Sequence, residues 1–326
     1  MELKHYENGR DLMHAVVRGE KIDRLPRQNV DYYQVMMMAE YPQNVPVGGS
    51  GVDPFGVGFV NAIDGFTPSK APIDDILDWD QIPFPDPEDL PMEEEGKKIL
   101  SQFDHDKMML RLDVPYFHFE RLHSVMGFEN TLVAFVEEPE ATHEVLAQLT
   151  DYYIRKMELV KKYYDCDIFV PHDDWGGNLN MFFSPETWRE FIKPELIKCV
   201  NACHDLGMYF EQHTCGHIQE IIPDLCEIGV DILQPLMASC NDIPTVKREY
   251  GDKIVMAGAC DTRSIVQLSA SEEEVRTIAR TSFESAGPWH FIPSTLVYGE
   301  GNEWKIPIVN EELEKYEKKV RAENAA

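Results

Sequence analysis

The chain has 326 residues, 43% of them hydrophobic, enough to bury a substantial core in one large domain; single α/β barrels run to about 250 residues or more with insertions. Lys plus Arg number 30 against 58 Asp plus Glu, and the resulting formal charge of −28 repels polyanions and excludes nucleic acid as an expected partner. No run of about 18 apolar residues occurs and the polar opening MELKHYENGRDLMHAVVRGE is no signal peptide, so the expectation is a cytoplasmic protein that does not enter a membrane, its seven cysteines reduced.

A helix is expected over Gly9 to Arg18, followed by a Met-, Pro- and Gly-rich stretch that reaches 48-GGSGVDPFGVGF, of which 48-GGSG is taken as a flexible loop, and then the Pro-rich 82-IPFPDPEDLPM. Residues 1–100 therefore read as an N-terminal elaboration of one domain spanning 1–326. From about residue 100 a helical segment leads into 108-MMLRLDVPYFHF, and helical patterns then alternate with the apolar runs 167-DIFVPHDD, 207-GMYFEQHTCG, 230-VDILQPL, 253-KIVMAGACD and 289-WHFIPS. Each run suits a strand buried on both faces, and the alternation implies βα units with a parallel sheet. A closed (β/α)8 TIM barrel is preferred over a doubly wound sheet because polar residues recur at the ends of successive runs: His172, Asp173 and Asp174; His213 and Cys215; Gln234; Cys260 and Asp261. In barrels that rim carries the site. No GxGxxG or Walker-type loop supports a nucleotide fold.

The sharpest chemical signal is 211-EQHTCGH. Residues two apart at a strand end project to one side, so the His213 imidazole and the Cys215 thiolate can reach one tetrahedral ion, and Gly216 permits the turn into the next helix. A catalytic zinc needs a third protein ligand from another strand; Cys260 is the first choice, with Glu211 and His290 as alternatives. Cys199, Cys203 and Cys226 fall on apolar helix faces and read as core. In 171-PHDDWGG one carboxylate is expected to face the site while the other caps a turn, and Asp174 or His172 is the expected proton donor or positioning group. Tyr116, Trp175 and Phe182 are the expected aromatic lining of a substrate pocket, with Phe183 beside them.

The segments 22-IDRLPRQ, 53-DPFGVGF, 171-PHDDWGGNLNMFFSPETWREFIKPELIKCVNACHDLGMYFEQHTCGHI and 254-IVMAGACDTRSIVQLSASEEEVRTIAR give the chain a resemblance to the uroporphyrinogen decarboxylase superfamily, in particular its corrinoid-dependent methyltransferase branch. The resemblance implies a (β/α)8 barrel and a zinc held by a His-x-Cys pair, matched by His213 and Cys215, plus a later cysteine. Decarboxylases of the superfamily grip substrate carboxylates with an Arg-Gln-Ala-Gly-Arg segment, whereas this chain has 27-RQNVDYY, without the second arginine. The branch that methylates coenzyme M has its third cysteine where this chain has Ser294 and Thr295, which points to Cys260 as a substitute. The resemblance thus implies a zinc-dependent methyltransferase that moves a methyl group from a small-molecule donor, an aryl methyl ether foremost, to Co(I) of a separate corrinoid protein. The alternatives are transfer from a methylcorrinoid to a thiol or other acceptor, and a non-catalytic tetrapyrrole-binding barrel; decarboxylation ranks last.

Overall fold

The computed structural model describes residues 3–63, 65–294 and 300–325. Seven strands form one parallel sheet in the order β1 (Tyr32–Met36), β5 (Met109–Val114), β6 (Ile168–Pro171), β7 (Tyr209–His213), β8 (Ile232–Gln234), β9 (Val255–Gly258) and β10 (Phe291–Pro293). The sheet curls into an α/β barrel, as the alternation predicts, with β1 and β10 at its two free edges. Strands β5, β6, β9 and β10 are buried along their whole length because helices cover the outside and side chains fill the inside. The helices that follow the strands are α3 (His118–Met126), α4 (Phe128–Glu137) and the long α5 (Pro139–Tyr164) after β5, α7 (Lys193–Asp205) after β6, α8 (Ile222–Glu227) after β7, α9 (Ile243–Tyr250) after β8 and α11 (Glu272–Ala286) after β9. Ser271 and Glu274 close a reciprocal capping box that starts α11 at a defined residue.

The N-terminal hundred residues do more than decorate the barrel. Helix α1 (Gly9–Val17) forms as expected, and β1, hidden in the irregular-looking YYQVM, pairs in parallel with β5 from Tyr32↔Met109 to Met36↔Asp113. The segment 48-GGSG, expected as a flexible loop, instead runs into a three-stranded antiparallel sheet of β2 (Ser50–Val52), β3 (Gly58–Ala62) and β4 (Gly65–Lys70). Its Asp53 forms a fully buried ion pair with Arg121 of α3 at 2.6 Å, and the nearby Glu40 takes Lys156 of α5 at 2.8 Å. Charges this deep persist only when paired, so the two bridges lock the N-terminal excursion onto the barrel helices.

Candidate metal centre

The interior of the barrel is polar where β1, β5 and β7 face one another. Arg111 of β5 meets Glu211 of β7 in a buried, two-pronged ion pair, its Nε 2.7 Å from the carboxylate. Arg111 also donates to the Gln34 side-chain amide oxygen at 3.2 Å, and the Gln34 side-chain amide N–H donates to Asp113 at 2.9 Å. Glu211 is thereby consumed as the counter-ion of Arg111 and is no metal ligand here.

One turn higher, at the C-terminal rim, the ends of β6 and β7 converge. The His213 Nδ1 donates to the side-chain amide oxygen of Gln234 on β8, which fixes the tautomer and presents the Nε2 lone pair outward. From that Nε2 the Cys215 Sγ is 3.6 Å away and the Asp174 Oδ1 3.7 Å. The Asp174 carboxylate also accepts the Cys215 backbone N–H at 2.6 Å, which ties the loop after β6 to the loop after β7. Imidazole nitrogen, sulfur and carboxylate oxygen all lie within 4.8 Å of one another. A tetrahedral ion with bonds of about 2.0–2.3 Å sets its ligand atoms about 3.3–3.8 Å apart, so the donor set suits zinc and the two distances from His213 match that spacing.

Glycine makes this convergence possible. Gly216 has a φ of +84°, and a Cβ there would overlap the Gly176 carbonyl; a Cβ on Gly176 would stand 2.6 Å from the backbone of His217. Only two glycines let the rim loops approach closely enough to bring Asp174 to Cys215.

The electrostatics suit a cation. Burial, reinforced by the neighbouring His172, pushes the His213 imidazole down to about 4, the neutral form that binds metal. Burial and then the Asp174 carboxylate push the Cys215 thiol well above its usual range. Behind the trio, burial together with the Asp174 and Asp173 charges raises Glu120 to about 8, and burial raises Asp173 to about 7. Acids crowded this way resist ionising together, and a bound divalent ion reverses that balance. His172 stacks on His213 with ring centroids 3.9 Å apart and planes 2° from parallel. Burial works against the His172 cation, but the Asp113 carboxylate, bonded to its Nε2 at 2.9 Å, outweighs it and raises the imidazole.

Other expected site residues lie elsewhere. Gly258 and Ala259 both adopt positive φ and turn the chain after β9, so Cys260 is buried with its thiol against Ser282 of α11, outside the trio. His290 precedes β10 and therefore lies at the opposite, N-terminal face of the sheet, bonded to the Gly251 carbonyl. Trp175 is fully buried against Trp188, and its indole N–H donates to Asp173. Phe182 packs on Phe119 and Phe128, and Tyr116 on Tyr41, Phe59 and Arg121. None of these three aromatic residues lines the cavity beside the trio. That cavity, about 410 Å³, is bounded by His213, Cys215, Asp113 and Gln234 with Met36, Met237, Ile292 and Ser294; Thr295 lies outside the described residues. Tyr32 is its one aromatic wall among the described residues. Gln34, Asp113 and Glu120 escaped notice in the sequence, although Arg111 and Asp113 alternate with leucine and valine in MLRLDV, the period-two signal of a polar barrel interior.

Fold and site define an α/β barrel protein with a metal-capable C-terminal rim. Residues 119–295 match the uroporphyrinogen decarboxylase (URO-D) family, and the chain belongs to that family. No curated protein sequence matches it. Among solved structures it is similar to a methyltransferase from Methanosarcina mazei, with a TM-score of 0.70 and 14% identity over 95% of this chain and 99% of that one. More distant are an IOLI protein with a bound zinc atom (TM-score 0.39, 12% identity, 72% of this chain and 84% of that one) and a xylose isomerase-like TIM barrel protein from Mycobacterium smegmatis in complex with magnesium (0.35, 11%, 68% and 78%). No helix among the described residues is long and apolar enough to cross a membrane.

Proposed function

We propose that the chain is a zinc-dependent methyltransferase that passes a methyl group from a small methylated donor, an aryl methyl ether foremost, to Co(I) of a separate corrinoid protein. The observation that carries this reading is the convergence of His213, Cys215 and Asp174 on one point beside a largely apolar cavity. In it, Asp174 replaces Cys260 as the third ligand. When bound, zinc supplies Lewis acidity toward the ether oxygen.

The chain's own residues do the rest. Gln234 holds the His213 tautomer, and the loops pinned by Gly176 and Gly216 hold Cys215 and Asp174 in register. Met36, Met237 and Ile292 wall the cavity and exclude water from the ether carbon. His172 stacks behind His213, and the Asp113 carboxylate bonded to it favours its protonated form, which would add positive charge near the departing phenolate. The C–O bond breaks with its electron pair on the phenolate oxygen, and Co(I) supplies the pair that forms the Co–CH3 bond. The structural similarity to a methyltransferase supports the same reading. Decarboxylation of a polycarboxylate is disfavoured because the guanidinium in the cavity wall, Arg111, is already neutralised by Glu211.

Anaerobic incubation of the zinc-loaded protein with 2-methoxyphenol and cob(I)alamin is expected to release catechol and methylcobalamin in equal amounts. Methylation of a thiol by methylcobalamin without any ether cleavage supports transfer in the other direction, and decarboxylation of uroporphyrinogen overturns the proposal.

A further inference from the structure

Strand β1 is one lip of the seam where the barrel sheet ends, and it has no strand partner on its far side among the described residues. Two of its residues, Val35 and Met36, are only half-buried, whereas every residue of the neighbouring β5 is buried. Both border the inner cavity beside the metal trio, and both border a second cavity of about 700 Å³ on the outer side of β1, against α2 (Met92–Leu100). Successive strand residues face opposite sides of a sheet, so a pair of neighbours that borders both cavities marks the point where the two meet around the strand.

The outer cavity has its own chemistry. Gln43, Asn44 and Gln102 bring amides, Glu94 a carboxylate and Lys98 an ammonium, over an apolar floor that includes Ile99. Gln102 accepts the Tyr33 hydroxyl, and Gln43 donates to the Met38 and Tyr41 carbonyls at 2.9 and 2.7 Å, so these two glutamine amides are held in place. Donors and acceptors standing side by side on an apolar floor match hydroxyl groups, each of which both donates and accepts. An anionic arm would meet Glu94 and Glu95 against the single Lys98.

We infer that the two cavities are one bipartite binding site, in which the inner chamber takes the methyl-bearing ring and the outer chamber takes an uncharged polyhydroxylated arm such as a glycosyl group. This inference rests on the proposed methyl-transfer reading for the nature of the ring. The test is calorimetric titration of the zinc-loaded protein with 2-methoxyphenol and with its β-D-glucoside. The glucoside is expected to bind at least tenfold tighter. The double variant Glu94→Ala/Lys98→Ala, two exposed positions on α2 where alanine preserves the helix, is expected to weaken the glucoside at least fivefold more than the parent ether. Demethylation of the parent ether with equal affinity for the glucoside overturns the bipartite site and leaves the methyl-transfer reading standing. Binding of neither compound overturns both.

Discussion

At the scale of single residues, ligand assignment separates two cysteines that the sequence presents alike. Cys215 and Cys260 both follow a strand end, yet one faces His213 and Asp174 and the other faces Ser282. Cys215→Ser or Asp174→Asn is therefore expected to lower zinc content at least tenfold by elemental analysis, since each leaves two of three ligands. Cys260→Ala should keep full zinc and lose only about 1 kcal/mol of stability from the small void. Zinc lost from Cys260→Ala with Asp174→Asn unaffected would return the assignment to the cysteine. A second residue-scale prediction concerns His118, buried on α3, bonded by Nε2 to Thr150 and with its Nδ1 unpartnered. Burial pushes it down to about 3 from the ordinary 6.5. A depressed folded value means that the unfolded chain takes up the proton first as pH falls below 6.5. The stability His118 contributes when neutral is then present above 6.5 and is lost towards pH 3, at up to about 1.4 kcal/mol per pH unit. Chemical denaturation of His118→Gln between pH 6.5 and 4.5 should show a shallower fall than the parent; parallel curves would contradict the assignment.

Between elements, the decisive contacts join strand ends and loops distant in sequence. Gly216→Ala adds a Cβ against the Gly176 carbonyl at a φ of +84°. The combined backbone strain and overlap should cost about 3 kcal/mol or more. The variant should also lose zinc because Asp174 and Cys215 are forced apart, and a variant that unfolds more readily yet retains zinc would show that the loops are not what assembles the site. The Arg111–Glu211 bridge links β5 to β7 across the intervening β6. Removing one partner, as in Glu211→Gln, leaves a buried guanidinium under-compensated and should cost about 3–5 kcal/mol in denaturant unfolding. The apolar pair Arg111→Met/Glu211→Leu should recover much of that loss, which a simple packing defect would not.

For the molecule as a whole, the N-terminal hundred residues and the barrel are expected to unfold as one cooperative unit. Strand β1 belongs to the barrel sheet, Arg10 bridges to Asp167 just before β6, and Arg27 bridges to Glu317 on α12 (Lys305–Ala325). A chain lacking residues 1–100 would expose the long edge of β5 and leave Arg121 and Lys156 unpaired in the interior. The expected outcome is a single thermal transition for the full chain and no folded product from the truncated one, checked by calorimetry and circular dichroism. Two separate transitions would argue for an independent N-terminal module.

What the sequence determined by itself was local or periodic. Largely apolar runs separated by helical patterns identified the parallel sheet, because strands buried on both faces need near-continuous hydrophobicity, and the polar residues recurring at the ends of the runs pointed to a barrel. The pair His213 and Cys215 was legible because two residues at strand spacing share a side whatever the rest of the fold does. The tertiary structure alone decided the remainder. Strand β1 hid among turn-forming residues, since the strand it pairs with among the described residues is β5, as Tyr32↔Met109 shows, far along the chain. The third candidate ligand became Asp174 because two glycines let separate loops touch, and Cys260 turned away because positive φ at Gly258 and Ala259 redirects the chain. Of the aromatic residues expected around the substrate, Trp175 is instead buried against Trp188, where its apolar area is removed from water, while Phe182 and Tyr116 pack on other aromatic rings away from the cavity. A side chain's chemistry is written in the sequence; the point towards which it converges depends on backbone direction summed over distant segments.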